Sequence, residues 1–201
     1  MNSRPLTEIT PSTIHGSFTL TLDLTAPPAR VYAAYADPAQ RRRWFRIPST
    51  PEHASHELDF RVGGHELARG LFAPAAGVEE SLEYRTAFWD IVPDERVVFS
   101  YAVTVNDIRR WVSLVTIELC PRDAGTHLRH TEHYVFLAWT GDGRNDVAHL
   151  KGGTRLQLNG LLAALTNPEL SGTEAAGSQA RDPSSPLSGS SVPTIWRICA
   201  R

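Results

Sequence analysis

The sequence predicts an α+β fold in which a curved antiparallel sheet of about six to seven strands wraps around a long C-terminal helix. Most of the chain alternates apolar and polar residues between turn signals, which indicates strands with one wet face. Helical signals are confined to a short stretch after the first strand and to a long stretch near the end. Adjacent strands with the helices segregated to one face are typical of this class.

The first elements are a strand and two short helices. Strict alternation over residues 17–26 predicts the strand. Pro28 suits the first turn of one helix, and Asp37 suits the N-cap of the next. That second helix contains residues 41–43, three consecutive arginines that resemble a basic patch. We interpret them as side chains that splay around the helix, while Trp44 anchors it to the core.

A hairpin around two glycines comes next, in the segment HELDFRVGGHELARGLF. Gly63 and Gly64 fit a two-residue turn that requires positive φ. This turn pairs Leu58 with Arg69 across the two strands. The residues assigned to the inner face are His56, Leu58, Phe60, Leu67, Arg69 and Leu71. The predicted core side of this hairpin therefore carries a histidine and an arginine.

The segment WDIVPDERVVFSY concentrates acidic residues around a proline and is either an acidic active site or a bend in the chain. Its flanks are rich in β-branched and aromatic residues, which suit strands. Pro93 followed by Asp94 has the chemistry of a tight turn. The segment therefore predicts a structural hairpin, and solvated carboxylates at its tip would do little chemistry.

Two further strands and the long helix complete the predicted domain. Alternation over residues 109–119 and 126–136 predicts the strands. Residues 147–166 then show the spacing of an amphipathic helix. Its inward face comprises Val147, Leu150, Thr154, Leu158, Leu161 and Leu165. Gly152 and Gly153 indicate that this helix approaches something closely, and a ligand would lie between helix and sheet.

The two ends of the chain differ from the middle in composition. Residues 1–14 are polar and aperiodic and predict a flexible N-terminal arm, followed by one domain over residues 15–167. Residues 168–201 are rich in Ser, Gly and Pro and predict a disordered tail, because such a composition cannot bury a core. The closing TIWRICAR is either a docking peptide or an accidental extension.

Composition and motifs exclude several functional classes. A net charge of −2 with no basic stripe argues against nucleic-acid binding. The chain has no long apolar stretch for a membrane span and no secretory signal, and its two cysteines form no disulfide framework. We therefore expect a cytoplasmic protein. No phosphate-binding loop, dinucleotide fingerprint or nucleophile elbow occurs, so we expect no cofactor.

Three evenly spaced histidines in HLRHTEH invite comparison with a zinc site. On a strand, His127 and His133 share a face but lie about 20 Å apart. His130 points to the opposite face. The preceding Gly125 and the following Tyr-Val-Phe favour a strand over a helix. The sequence therefore predicts no metal site.

Five segments together resemble one known family: APPARVYAAYADPAQRRRWF, ELDFRVGGHE, YRTAFWDIVPDERVVFSY, GTHLRHTEHYVFL and GGTRLQLNGLLAAL. The family is named after the activator of the 90-kDa heat-shock-protein ATPase and is a branch of the START-like (SRPBCC) superfamily. The resemblance covers residues 17–166. It implies the helix-grip fold and a deep apolar pocket for lipids, aromatics or polyketides, in a superfamily that includes both enzymes and binding proteins.

Polar residues on the predicted inner faces define a candidate site. If the sheet curls around the helix, His56 and Arg69 from the glycine hairpin meet His130 and Glu132 from the last strand. Arg69 then orients a ligand, pairs with Glu132 or another acid, or extends to solvent at an edge. With aromatic walls added, the predicted ligand-binding residues are His56, Arg69, Tyr84, Tyr101, Trp111, His130 and Glu132.

Three functions remain open at this point. The first is binding of a small hydrophobic or aromatic molecule between sheet and helix. The second is an enzyme in the same pocket, cyclase-like or another lyase or hydrolase, with Glu132 or His130 as general base and Arg69 steadying an enolate. The third is a protein-interaction module that acts on a chaperone ATPase. A homodimer is compatible with each of them.

Overall fold

The structure is a computed structural model that describes residues 13–72 and 79–166. Its strands are β1 (Ile14–Leu24), β2 (Ser55–Leu58), β3 (His65–Phe72), β4 (Glu80–Val92), β5 (Arg96–Val105), β6 (Ile108–Arg122) and β7 (Gly125–Phe136). The α-helices are α1 (Pro28–Ala36), α2 (Pro38–Trp44) and α3 (Arg144–Thr166). The strands form one antiparallel sheet in the order β1-β7-β6-β5-β4-β3-β2. The predicted α+β architecture is confirmed.

The segment before β2 agrees with the prediction in its helix boundaries. α1 begins at Pro28, and the side chain of Asp37 caps α2 by accepting the N–H groups of Ala39 and Gln40 at 2.7 and 3.0 Å. Trp44 is buried and donates its indole N–H to the carbonyl of Ala34 at 2.9 Å. The capping and the anchoring role of the tryptophan are therefore confirmed. The predicted arm up to residue 12 and the predicted tail at 168–201 lie outside the described residues.

The proline-containing segment is the hairpin that its flanks predicted. β4 and β5 are joined at residues 93–95, where Asp94 has a φ of 63°. Asp94 and Glu95 are exposed at the tip, while the side chain of Asp90 accepts the Nε–H of Arg96 at 2.7 Å. The acidic residues are thus surface groups of a turn, which favours the structural interpretation of this segment.

The glycine hairpin has a different register from the predicted one. Leu58 pairs with Glu66, three residues before the predicted partner Arg69. The connecting loop is longer than two residues, since Gly64 donates its N–H to the carbonyl of Arg61 at 2.8 Å inside it. An odd shift in register exchanges the two faces of a strand. β3 therefore buries Glu66 and exposes Arg69, and the predicted inner position of Arg69 is wrong.

The helix α3 lies across the concave side of the sheet and against α2. Its buried positions include Leu150, Thr154, Leu158, Leu161 and Leu165, as the apolar spacing predicted. The predicted reason for Gly152 is wrong, because a Cβ there would meet no atom within 4 Å. The close approach occurs at Gly160, where a Cβ would lie 3.3 Å from the carbonyl oxygen of Trp44.

None of the helices in the described part of the chain combines the length and the apolar character needed to cross a lipid bilayer.

Candidate functional site in the space between sheet and helix

A cavity of about 70 Å³ lies between α3 and the inner face of the sheet. Aromatic and aliphatic side chains together form most of its wall, and a few charged groups interrupt them. The aromatic and polar lining residues are Tyr35, Arg41, Trp44, Tyr84, Phe99, Tyr101, Trp111, His130, Glu132, Phe136, Asp146, His149, Thr154 and Gln157. The free volume corresponds to a few water molecules.

Most of the residues predicted for the site meet at this cavity. Tyr84, Tyr101, Trp111, His130 and Glu132 all line it, so their predicted inward orientation is confirmed. Their role in binding a ligand stays a prediction.

Two predicted site residues are not part of the lining. His56 faces inward but bonds to Glu66 in a neighbouring cluster, 2.8 Å away. Arg69 lies on the outer face, where it pairs with Glu83 at 2.9 Å and leaves 50% of its side chain exposed. The register of β3 is the physical reason for this second difference, and the predicted contact of Arg69 with Glu132 is wrong.

Glu132 on β7 is the centre of the first polar cluster. It is fully buried, with 0% of its surface exposed. The hydroxyl of Tyr101 donates to Oε1 at 2.5 Å, while Nε2 of His130 and the hydroxyl of Thr154 lie 3.1 and 3.3 Å from Oε2. Burial, and then the charge of Glu132, raise the pKa of Tyr101 well above its ordinary value, so this phenol stays protonated as a donor.

Strand geometry explains how these groups meet. His130 and Glu132 are two residues apart on β7 and therefore share a face. Tyr101 lies on β5, and the intervening strand β6 presents the short side chains of Ser113 and Val115 between them. The phenol therefore reaches across β6 to the carboxylate. The indole N–H of Trp111 on β6 approaches the Tyr101 oxygen at 3.4 Å and extends the network.

A second buried cluster is built around Glu66 on β3. Arg41 from α2 donates Nε–H and Nη2–H to the two carboxylate oxygens, both at 2.7 Å, and is itself buried. The guanidinium carbon lies 4.1 and 4.3 Å from the ring centroids of Phe45 and Trp44. Burial alone would raise the pKa of Glu66, but the charge and hydrogen bonds of Arg41 outweigh it and hold that pKa below the ordinary value.

Sequence reasoning missed both members of this pair. Arg41 was interpreted as one of three arginines splayed around α2, whereas it points into the core. The available signal was its spacing from Trp44, because residues three apart on a helix share a face. The predicted inner face includes Leu67, which puts its neighbour Glu66 on the outer face, and the observed register corrects this. A buried arginine and a buried glutamate therefore both escaped notice.

Tyr84 connects the two clusters. Its ring stacks on that of Tyr101 with centroids 4.5 Å apart, and its other neighbour is Phe45, with centroids 4.9 Å apart. Burial, and next the charge of Glu66, raise the pKa of Tyr84 well above its ordinary value. The wall between the clusters thus contains a row of aromatic rings in contact, one pair stacked and the other edge to face.

Asp146 closes the cavity at the N-terminal turn of α3. Arg110 donates to its Oδ1 at 2.9 Å, and Thr140 donates its backbone N–H and hydroxyl to Oδ2 at 3.0 and 2.8 Å. Burial would raise the pKa of Asp146, but the hydrogen bonds from Thr140 and Arg110 hold it below the ordinary value. Asp146 therefore connects α3 to β6 and to the loop that precedes the helix. The sequence did not indicate this role.

The three evenly spaced histidines lie on a strand, as expected. His127 contacts Asp23 at 2.6 Å on the outer face, and His130 points into the cavity. Among the residues that the structure describes, no three His, Cys, Asp or Glu side chains are grouped as a metal ion would require. The side chains that line the cavity can form hydrogen bonds, exchange protons and make aromatic contacts.

Known proteins resemble this chain in both sequence and fold. The model of the family "Activator of Hsp90 ATPase homolog 1-like protein" matches residues 25–166. An uncharacterized protein from Rhizobium leguminosarum is 31% identical, with 77% of this chain and 97% of that chain covered and a TM-score of 0.66. The Mll3558 protein from Rhizobium loti is 38% identical, with coverages of 75% and 97% and a TM-score of 0.64.

A third solved structure, the CV1439 protein from Chromobacterium violaceum, is 27% identical over 74% of this chain and 96% of that chain, with a TM-score of 0.53. No curated protein matches the chain. The family model spans more than half of the sequence and includes all the strands from β2 onward and all three helices. The chain therefore belongs to the family of activator of Hsp90 ATPase homolog 1-like proteins, a branch of the START-like superfamily with the helix-grip fold.

Proposed function

We propose that the cavity binds a small hydrophobic or aromatic molecule. The observation that carries the proposal is a buried carboxylate network at the edge of an aromatic-lined space between sheet and helix. A core built only for stability would fill this space with apolar side chains, since buried polar groups need partners and voids lose packing energy. A mostly apolar space with a few convergent polar groups is typical of ligand sites.

The size of the cavity sets a condition on binding. Its volume of about 70 Å³ is smaller than the roughly 150 Å³ of an engineered protein cavity that binds benzene. An aromatic ligand therefore requires side chains or α3 to move outward. Gly153 lines the cavity, its neighbour Gly152 faces open space, and each glycine lowers helix stability by about 1 kcal/mol relative to alanine. The helix propensity of α3 is therefore reduced beside the site.

The proposed roles follow from the geometry. Tyr84, Tyr101 and Trp111 supply flat walls, and His130 and Glu132 supply polar contacts. Arg69 has no part in the proposed site because it lies on the outer face.

Two neighbouring glycines provide a matched test. Gly153 is buried and lines the cavity, whereas Gly152 has open space at its Cβ position. Both changes, Gly153→Leu and Gly152→Leu, raise helix propensity equally, but only the first places a side chain in the cavity. Native mass spectrometry of the wild type should show a co-purifying small molecule that Gly152→Leu retains and Gly153→Leu loses. Retention by both folded variants would contradict the proposal.

A second candidate function is an enzyme that uses the same pocket. The specific observation is that His130 and Tyr101 both contact Glu132, at 3.1 and 2.5 Å. Glu132 or His130 would act as general base. The protonated Tyr101 would turn its one hydroxyl hydrogen from Glu132 to a developing oxyanion, in place of the exposed Arg69. Glu132→Gln should abolish turnover of the co-purified compound while leaving its binding measurable. Turnover that is unchanged both in Glu132→Gln and in His130→Gln would exclude this candidate.

Action on a chaperone ATPase is the third hypothesis. It is supported by the family name and by the outer face of the sheet, where Trp89 and Leu114 are 61% and 45% exposed. The test measures ATP hydrolysis by Hsp90 with the wild type, with Trp89→Ser, and with Glu132→Gln as a control that changes only the interior. If the wild type stimulates hydrolysis and only Trp89→Ser abolishes the stimulation, the hypothesis is supported. If the wild type does not stimulate hydrolysis, the hypothesis is contradicted.

A further inference from the structure

Three charged residues line the cavity, and they differ in how their charges are balanced. Arg41 has the carboxylate of Glu66 at 2.7 Å, and Asp146 has the guanidinium of Arg110 at 2.9 Å. Glu132 has neither: within residues 13–72 and 79–166, no arginine or lysine lies within ion-pairing distance of it. The groups around the cavity therefore leave one negative charge without a permanent positive partner.

An unbalanced carboxylate at this depth is costly. Removing a charge from water carries a penalty of several kcal/mol, which neutral donors offset only in part. Tyr101 is a neutral donor, and the single hydroxyl hydrogen of Thr154 is shared with the carbonyl of Leu150, which is closer at 3.0 Å. His130 balances the charge only when it is protonated. In the free protein the negative charge of Glu132 thus stays unbalanced, and a cationic ligand would balance it.

The aromatic rings near Glu132 also favour a cationic ligand. The faces and edges of Tyr84, Tyr101, Phe99 and Trp111 bound the same space. Aromatic faces attract ammonium groups, and the attraction grows when the cation is shielded from water. The neutral form of both phenols is maintained by burial, so these rings add no charge of their own.

The carboxylate of Glu132 can also accept one more hydrogen bond. An ionised carboxylate offers about four acceptor positions. Tyr101 occupies one position on Oε1, and His130 and Thr154 approach Oε2. The remaining position belongs to Oε1, and because Glu132 is 0% exposed, a donor reaches it only when side chains or α3 move outward.

We propose that the molecule bound in this cavity is an aromatic amine, whose protonated nitrogen contacts Glu132 and whose ring lies against the aromatic wall. This inference rests on the proposed ligand-binding function and names the class of ligand. An aromatic acid is disfavoured, because its carboxylate would face Glu132, while the positive charge of Arg41 is already balanced by Glu66 at 2.7 Å. A neutral aromatic alcohol would fit the space but leave the charge of Glu132 unbalanced.

Three probes of nearly equal size separate these classes: benzylamine, benzyl alcohol and benzoate. All share one ring, so the work of widening the cavity is similar for each, and differences in affinity report the head group. Calorimetric titration of the full-length protein at neutral pH should give binding of benzylamine roughly tenfold or more tighter than benzyl alcohol, with benzoate weakest. Glu132→Gln should remove the advantage of the amine and preserve binding of the alcohol.

Glu83→Gln is the matched control, because it removes an acidic group from the outer face and should leave all three affinities unchanged. Equal affinities for the three probes, or a preference for benzoate, would overturn the aromatic-amine proposal and leave the proposed cavity function standing. Binding of none of the probes would contradict both proposals. If Glu132→Gln does not fold, the order of the wild-type affinities for the three probes tests the proposal by itself.

Discussion

Two glutamates in the interior of this domain have the same burial and opposite surroundings. Glu66 on β3 and Glu132 on β7 are both 0% exposed, and each contacts a histidine. Glu66 also receives two hydrogen bonds from Arg41, whereas Glu132 receives its closest bond from the neutral phenol of Tyr101. The two glutamates are equally buried, so we distinguish the structural carboxylate from the proposed ligand-facing one by whether a cationic side chain balances its charge.

The helices that cover the two glutamates account for this contrast. α2 places a guanidinium over Glu66, with Phe45 and Trp44 enclosing it, so that cluster is complete. α3 places Thr154 over Glu132 and leaves a cavity beside it. One cluster therefore holds α2 onto the sheet, and the other faces the space in which we place the ligand.

The largest expected effect is on the balanced pair. Arg41→Met should lower the free energy of unfolding by about 3–5 kcal/mol, because it leaves Glu66 buried without its cation. Urea denaturation at neutral pH measures the change. Arg42→Met is the matched control on the next, exposed position of the same helix, and it should be nearly neutral. Equal, small effects from both variants would mean that the pair does not stabilise α2.

The pH dependence of stability should follow the same pair. The pKa of Glu66 in the folded protein lies below its ordinary value of 4.5. The unfolded chain therefore binds a proton at higher pH than the folded one, so this contribution is complete above 4.5 and is lost as the pH falls through the folded pKa. Urea denaturation at several pH values from neutral to acidic should show that the free energy of unfolding falls less steeply with decreasing pH in Glu66→Gln than in the wild type.

Other carboxylates with lowered pKa values, such as Asp146, titrate in both proteins and cancel in that comparison. Parallel pH profiles for the wild type and Glu66→Gln would show that Arg41 does not set the ionisation of Glu66.

The same substitution at the two glutamates should have unequal costs. Glu66→Gln leaves Arg41 uncompensated and should cost about 3–5 kcal/mol. Glu132→Gln removes an unbalanced charge, strands no permanent one and keeps an oxygen that accepts from Tyr101, so its net cost should not exceed about 1–2 kcal/mol, the size of weakened hydrogen bonds. Parallel urea denaturation of the two variants checks the ratio. A larger loss at Glu132 would reverse our assignment of the structural and ligand-facing roles.

The sequence predicted one of these clusters and missed the other for a definable reason. Glu132 and His130 lie on a long strand whose alternation is unbroken, so their inward direction follows from the period alone. Arg69 and Glu66 lie beyond a loop, and the faces of β3 depend on its length. Two adjacent glycines favoured a two-residue turn, whereas hydrogen bonds within residues 59–64 make the loop longer and reverse the faces.

The overall fold was more predictable than the site, because it depends on patterns that repeat. Strand alternation and helical spacing each involve many residues, and one wrong register does not change the order of the elements. A pair such as Arg41 and Glu66 depends on one helix face meeting one strand face. That meeting is a tertiary contact between residues far apart in the chain, and no local period encodes it.

The smallest expected effect is at Arg69, which provides the exposed reference for the two buried glutamates. Its pair with Glu83 is 2.9 Å long, but half of the arginine side chain is in solvent. Such pairs contribute less than about 1 kcal/mol, because water and salt screen them. Arg85 also contacts Glu83 at 3.1 Å, so removal of Arg69 leaves that carboxylate with a partner.

Arg69→Ala should therefore change the free energy of unfolding by less than about 1 kcal/mol in urea and should leave any co-purified ligand in place by native mass spectrometry. Both results follow from the register in which Leu58 pairs with Glu66. A loss comparable to that of Arg41→Met would place Arg69 inside the core and Glu66 outside it. Loss of the ligand alone would return Arg69 to the cavity. Either outcome would remove the balanced pair around Glu66, and with it the contrast that marks Glu132 as the ligand-facing carboxylate.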